Sequence, residues 1–340
     1  MINSFSESDS LVEVSDQNWS QDVLPVVSVF NWTFNHKRFI RESIDSILMQ
    51  KTNFRIEIII HDDSSNDGTA EIIKEYEIKF PTLFNNILQK ENQWSQGKSV
   101  MTPLFTKPKG KYIALAHGDD FWSSPYKLQR QVELIENSYN CNLVYHNCSK
   151  IDEYGNSLGL VYDKKYFMNL TLVNLIEGYY AKTGTILFRN NFLNDCPSEL
   201  DDILLGMLLL EGGAQGLYIP EIMSTYRVHF GGIWSLKATK YRIKAASITN
   251  SYIVKRYGSR FSKEIKKREL SNSISLIYSL LEDKEFFLSL KYYLIFLFNM
   301  HFDRGSISFI FKFMYHFTFK FFIFNSNKII KPNSININSF

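Results

Sequence analysis

The sequence predicts an α/β fold, with a mostly parallel sheet flanked by helices and a helical region after it. Three observations carry this. Short apolar or β-branched runs at residues 26–30, 55–60 and 112–116 alternate with stretches of helical apolar spacing. In the second run Ile56, Ile58, Ile59 and Ile60 make the segment apolar on both faces, as in a central strand of a parallel sheet. Each run then breaks into a polar turn, and strand–helix–strand order implies right-handed crossovers.

Composition narrows the class. The chain has 340 residues, 45% hydrophobic and 21% charged, enough for a sizeable globular core. A net charge of only +3 gives no support to nucleic-acid binding. Cys141, Cys148 and Cys196 are odd in number and form no CxxC pair, which fits a reducing cytoplasm rather than a disulfide framework or zinc site. Residues 1–24 carry Glu7, Asp9, Glu13, Asp16 and Asp22 with no basic start and no apolar stretch. They read as a disordered acidic extension, with room for a short ordered piece at Trp19.

Structure is expected from Pro25. After the first strand comes the turn Phe34-Asn35-His36, then a helix with Ile40, Ile44, Ile47 and Leu48 on one face. The second strand ends in His61-Asp62-Asp63 and a polar turn through Thr69. Ile72, Ile73, Tyr76 and Phe80 line the next helix, which Pro81 stops. Residues 86–89 suit a short strand, and 92–105 a loop with a helix. After the third strand, Leu128, Val132 and Ile135 mark another amphipathic helix. A strand and turn are expected over 143–156, a strand over 185–188, a helix over 202–210, and long helices over 236–325.

The third strand belongs to KYIALAHGDDFW, residues 111–122, where Gly118 permits a turn and two carboxylates follow, Asp119 and Asp120. Adjacent carboxylates without partners repel each other and lose hydration, so a cation stabilises them; hard oxygens suit Mg²⁺ or Mn²⁺. The plain alternative is one helix cap and one solvated acid. Ligands of open α/β sheets bind at the carboxyl ends of the strands. Phe34-Asn35, Asp62-Asp63 and Asp119-Asp120 all fall there, so four aspartates would share one edge. A metal–diphosphate ligand resolves that repulsion, and one carboxylate can instead accept from a nucleobase N–H.

These residues carry a resemblance. VVSVFNWTFNHKRFIRESIDSILMQ, IEIIIHDDSSNDGT, ENQWSQGKSV, KYIALAHGDDFWSSPYKLQRQVELIE and DDILLGMLLLEGGAQGLYIPEIMSTYRVHFGGIWS resemble, in order, motifs of inverting family-2 glycosyltransferases of the GT-A fold. The third and fourth are similar to a bacterial subgroup marked by a Glu-Gly-Asp-Asp-aromatic-Trp signature, except that His117 stands where Glu is common. The likeness spans about residues 25–240, leaving 241–330 as the helical region and 331–340 as a tail.

The resemblance implies roles. Asp63, with Asp62, Phe34 and Asn35 nearby, would bind the nucleobase of a nucleoside-diphosphate sugar. Asp120, helped by Asp119, would hold Mn²⁺ or Mg²⁺ on the diphosphate, and His229 could be a further ligand. Asp202, preceded by Asp201, would be the general base that deprotonates a hydroxyl acceptor, a saccharide or lipid-linked saccharide. Capping of the following helix is the other reading of Asp202; an ordinary surface or core histidine is that of His229. Gly231-Gly232 allows close backbone approach to a ligand, and Trp234 could stack on a sugar or pack in the core. The implied setting is bacterial cell-surface polysaccharide assembly. Rival products are a polyprenyl-phosphate sugar or, without catalysis, a sugar-nucleotide-binding scaffold.

The C-terminal region has no uninterrupted apolar window long enough to span a bilayer. Phe286, Phe287, Leu290, Tyr293, Leu294 and Leu297 form a broad apolar face, and after Asp303 the chain has four Lys, one Arg and no acid. That suits either helices lying on an anionic membrane, peripheral at the inner face of the plasma membrane, or a helical pair packed on the catalytic domain.

Overall fold

The computed structural model describes residues 11–20, 22–162, 168–191, 201–229, 231, 239–282 and 285–299. The chain divides into two compact units, Met1–Leu236 and Lys237–Phe340.

The first unit is built on a nine-stranded sheet. Its elements run β1 Val12–Glu13, β2 Val27–Thr33, α1 Ile40–Leu48, β3 Lys51–Thr52, β4 Ile56–Asp62, α2 Thr69–Lys79, β5 Ile87–Leu88, β6 Tyr112–His117, β7 Phe121–Trp122 and α3 Lys127–Glu136. They continue as β8 Cys141–Asp152, β9 Ser157–Leu160, α4 Leu172–Glu177, β10 Leu187–Arg189, α5 Asp202–Leu209 and β11 Gln215–Val228. The sheet order is β5-β4-β2-β6-β10-β8-β11-β7, with β9 beside β8, and the small pair β1-β3 stands apart. The first four strands are parallel, as expected from the apolar runs. β10 enters antiparallel between β6 and β8, while β8 and β11 pair in parallel.

Register puts the polar strand ends at one level. Thr33 is opposite Asp62, and Trp32 is opposite His117. Beneath them Val27, Val29, Ile56, Ile58, Ile60, Tyr112 and Ala114 are buried in one core with Ile40, Ile44 and Ile47 of α1. A fully buried side chain of this size is worth about 1.5–3 kcal/mol, so this layer is a rigid base for the turns above it.

The polar residues of α1 fasten those turns. Ser43 Oγ donates to the His117 carbonyl at 2.9 Å, and Ser46 Oγ accepts the Trp122 N–H at 3.0 Å. Gln50 then accepts the Leu128 N–H at 3.1 Å and donates to the Ser124 carbonyl at 2.7 Å. The segment from the end of β6 through the start of α3 is therefore pinned by one face of α1 and by Gln50 just beyond its end.

Part of the segment expected to be a disordered acidic extension carries structure. Residues 11–20 are ordered: β1 pairs with β3, Val14 is fully buried, and Gln17 donates to both the carbonyl and hydroxyl of Thr52. One buried valine and one bridging amide are enough to dock a segment whose composition is otherwise polar.

In the second unit α6 Thr239–Tyr257, α7 Ser262–Glu282 and α8 Phe286–Asn299 pack in sequence. Ile253, Ile277, Leu280 and Tyr293 are buried, and Ser289 Oγ donates to the Ile277 carbonyl at 2.9 Å. The basic stretch after Asp303 lies outside the described residues.

Candidate functional site

The Asp119-Asp120 turn links β6 to β7, and β7 pairs with β11 rather than returning to β2. Gly118 is needed here for space, since its backbone is not in the left-handed region. A Cβ at this position would lie 2.5 Å from Thr33 Oγ1 and 2.9 Å from His36 Nδ1. The turn therefore lies directly on the end of β2.

The two carboxylates face different partners. Asp119 Oδ2 is 3.0 Å from His229 Nε2 and 3.7 Å from His36 Nε2. Asp120 Oδ1 accepts the Arg227 N–H at 2.8 Å, and its Oδ2 is 3.9 Å from His117 Nδ1. Burial disfavours charge on both. For Asp119, the imidazoles of His36, His229 and His117 overcome that and hold the carboxyl well below its ordinary range. For Asp120, burial and the Asp119 charge together push the carboxyl well above it. The two neighbouring carboxyls are thus shifted in opposite directions.

Arg227 braces the turn from β11. Its Nε donates to the Asp119 carbonyl at 3.2 Å, its Nη2 pairs with Glu42, and its guanidinium lies 4.6 Å from the Phe39 ring centroid. Arg227 and His229 are two residues apart, which places both on one face of the extended chain.

Asp202 reaches the same rim from the other half of the sheet. Asp201, not Asp202, caps α5: its Oδ1 accepts the N–H groups of Ile203 at 3.0 Å and Leu204 at 2.8 Å. Asp202 is left to accept the hydroxyl of Thr183. Beside Thr183, Lys182 sits with its Nζ 3.6 Å from the Tyr226 ring centroid. Burial works against its charge, but Tyr226, Asp120 and Asp202 outweigh it and raise its pKa. Burial also keeps His117 below its ordinary value, with Lys182 adding to that effect.

The nucleobase candidates occupy the β2 and β4 ends. Asp63 accepts the N–H groups of Gln93 at 2.7 Å and Trp94 at 3.0 Å, one on each oxygen. Asp62 is 2% exposed and takes the N–H and hydroxyl of Ser65. Burial raises its pKa, with Ser65 opposing. Asp62 thus closes the turn before α2, and the expected row of four carboxylates divides: Ser65 holds Asp62, the 93–94 loop holds Asp63, and Asp119 and Asp120 face His229 and Arg227. Asn35 has φ +55° and accepts the Asn66 N–H at 2.9 Å, joining the β2 turn to the same loop. Phe34 beside it is 39% exposed, open to a flat partner.

Sequence reading missed His36, Lys182, Thr183 and Arg227. His36 had a signal, because it sits in the turn at the carboxyl edge. Arg227 had one in its spacing from His229. Lys182 and Thr183 had none, because β10 brings them to the site by an antiparallel pairing with β6 that local pattern does not encode. Gly232 and Trp234 lie outside the described residues.

Comparison with known proteins agrees with this architecture. Residues 28–193 match the family model described as glycosyl transferase family 2. An uncharacterized protein of Mycobacterium tuberculosis is 30% identical over 219 residues, 64% of this chain and 62% of that protein. The chain thus spans about three fifths of the length of that mycobacterial relative, 62%. The Bacillus subtilis protein EpsE, named as a glycosyltransferase, is 34% identical over 240 residues, 68% of this chain and 81% of its own length. TuaG of the same organism, named for teichuronic acid biosynthesis, is 31% identical over 118 residues, 35% of this chain and 43% of its own. Among solved structures, Staphylococcus aureus TarS 1–349 in complex with UDP-GlcNAc superposes with a TM-score of 0.55 at 15% identity, covering 75% of this chain and 79% of that one. The Pyrobaculum calidifontis mannosyltransferase PcManGT, with GDP-Man and Mn²⁺, gives 0.54 at 15% identity, covering 88% and 83%.

Proposed function

The chain belongs to glycosyltransferase family 2, and on that premise we propose that it moves a sugar from a nucleoside-diphosphate sugar to a hydroxyl acceptor with inversion at the anomeric carbon. The observation that carries this is the division of labour at Asp201-Asp202. Because Asp201 caps the helix, Asp202 is free of that task and is oriented by Thr183 on the rim that holds Asp119 and Asp120. In an inverting transfer the acceptor hydroxyl gives its proton to Asp202 while its oxygen attacks the anomeric carbon. The bond from that carbon to the donor phosphate oxygen breaks on the opposite side.

Negative charge accumulates on the departing nucleoside diphosphate. Lys182, kept protonated beside Asp120 and Asp202, supplies positive charge next to that path. The donor set also fits a divalent cation, since carboxylate and imidazole atoms of His36, Asp119 and His229, and of His117, Asp119 and Asp120, lie within 4.8 Å of one another. Asp119 belongs to both sets, with Asp120 and His229 as its partners. When bound, Mn²⁺ or Mg²⁺ there would neutralise diphosphate charge. Asp63 and the exposed face of Phe34 are suited to a nucleobase edge and plane, and each Asp63 oxygen keeps a lone pair beyond its backbone bond.

The relatives named for glycosyl transfer and teichuronic acid synthesis support an acceptor in cell-surface polysaccharide assembly, saccharide or lipid-linked. No described helix is long and apolar enough to cross a membrane. Phe287, 83% exposed, and Leu294, 57% exposed, lie on α8, in keeping with a peripheral position at the inner face of the plasma membrane.

The decisive experiment incubates the protein with a panel of nucleoside-diphosphate sugars, Mn²⁺ and hydroxyl acceptors, and reads the product's anomeric configuration by NMR. Transfer with inverted configuration, lost in Asp202→Asn, is expected. Retention of configuration, or tight donor binding without turnover on any acceptor, would overturn the reading in favour of another mechanism or a scaffold.

A further inference from the structure

The structure brings a second imidazole to Asp119. His36 comes from the turn after β2, and its Nε2 faces the same Oδ2 of Asp119 that His229 faces from the end of β11. The two rings meet edge-on, with centroids 5.9 Å apart. The three ligand atoms lie within 4.8 Å of one another. We propose that His36 is a third protein ligand of the divalent cation, which is then held by His36, Asp119 and His229. The proposal rests on the cation-dependent donor reading above and deepens it.

Three features single out this side of Asp119. Among the described residues no other hydrogen bond uses the His36 ring, for its Nδ1 is buried without a hydrogen-bond partner and its Nε2 points at the carboxylate. The ring is seated against the one residue of the turn that has no Cβ, since a side chain at Gly118 would press on His36 Nδ1. The other side is already served: Asp120 accepts the Arg227 N–H and faces the Lys182 ammonium, which repels a second cation.

The set has a chemical consequence. Two imidazole nitrogens beside one carboxylate are tolerated better by Mn²⁺ than by Mg²⁺, which is best held by oxygen ligands and water. The ligands come from three separate parts of the chain, after β2, after β6 and after β11. A bound cation would therefore link the parallel half of the sheet to β11.

The test uses the full chain stripped of metal and titrated with Mn²⁺ or Mg²⁺ alone, read by electron paramagnetic resonance and calorimetry. Wild type should bind Mn²⁺ with nitrogen couplings from two imidazoles. His36→Asn should lose one coupling and bind Mn²⁺ at least about tenfold more weakly, with Mg²⁺ affinity changed by less than about twofold. Circular dichroism confirms folding, and His36→Gln is read in the same way if His36→Asn does not fold. Unchanged Mn²⁺ affinity and coupling in the His36 variants would overturn the proposal. Asp119→Asn separates the two levels. If it abolishes Mn²⁺ binding while the His36 variants do not, His36 alone is misassigned. If it too leaves binding intact, the cation site at this rim fails and the proposal fails with it.

Discussion

The hydroxyl of Thr183 donates to Oδ2 of Asp202, joining the turn before β10 to the first residue of α5. The bond crosses between segments distant in sequence and orients the carboxylate at the strand-end rim. Removing that hydroxyl should loosen the base without deleting it. Thr183→Val is expected to lower kcat on the order of tenfold to a hundredfold with donor KM nearly unchanged, and Thr183→Ser should restore most of it. Asp202→Asn should cost about 10²–10⁴-fold, the range of a lost general base. Equal activity of the Val and Ser variants would show that the hydroxyl has no orienting role.

Asp201 and Asp202 should separate cleanly in experiment. Asp201→Ala removes the acceptor of the Ile203 and Leu204 N–H groups and is expected to lower stability by about 0.5–2 kcal/mol. Asp201→Asn should keep most of that stability. Turnover measured below the melting transition should stay near wild type in both, while Asp202→Asn shows the reverse pattern. Chemical denaturation beside initial rates decides it, and a large rate loss in Asp201→Asn would move the base to that position.

The parallel half of the fold was legible because its signals are local. Ile56, Ile58, Ile59 and Ile60 can only be buried on two faces, and the polar residues after them can only lie at the strand end. Asp119 and Asp120 were singled out on the same ground, whereas Asp202 was singled out by the family resemblance alone. What sequence could not show depends on pairing between distant segments. β8 and β11 are long strands of mixed polarity, aligned in parallel through several register shifts, and nothing in either one names its partner. The insertion of β10 between β6 and β8, which carries Lys182 and Thr183 to the rim, has the same origin. Adjacent acids posed the other difficulty, since composition alone does not say whether Asp201 or Asp202 takes the cap.

Lys127 is fully buried, donating to Gln131 Oε1 at 2.8 Å with its Nζ 4.0 Å from the Trp122 ring centroid. Burial pushes its pKa well below the usual lysine value. In the unfolded chain lysine titrates near ~10.4, so between the folded value and that limit the unfolded state binds more protons. Stability from this group should therefore rise with pH across that window and be lowest at the acid end. Lys127→Met removes the dependence. The wild-type stability minus that of Lys127→Met, from urea melts between about pH 7 and pH 10, should shift in favour of wild type as pH rises. A difference that stays flat would mean that Trp122 and Gln131 keep the ammonium charged inside the fold.

Gly118 makes the last case, because it tests whether the Asp119-Asp120 turn depends on contact with the end of β2. In Gly118→Ala the new Cβ would meet Thr33 Oγ1 at 2.5 Å and Thr33 Cβ at 2.8 Å, and neither belongs to a flexible side-chain end. The turn or β2 must move, and overpacking of this kind costs about 1–3 kcal/mol. The turn is also tied by the Gly118 N–H to the Trp32 carbonyl at 2.8 Å, so displacement at Gly118 carries Asp119 away from His36 and His229. We expect Gly118→Ala to melt earlier than wild type and to bind Mn²⁺ and donor more weakly, with turnover falling in step. The size of the effect should exceed that of Gly97→Ala, where a Cβ meets nothing within 4 Å and only the positive φ of +72° is strained. Comparing the two variants by calorimetric melting and Mn²⁺ titration separates loss of space from loss of backbone freedom. A Gly118→Ala protein that melts and binds like wild type would show that the turn does not rest on Thr33 and His36.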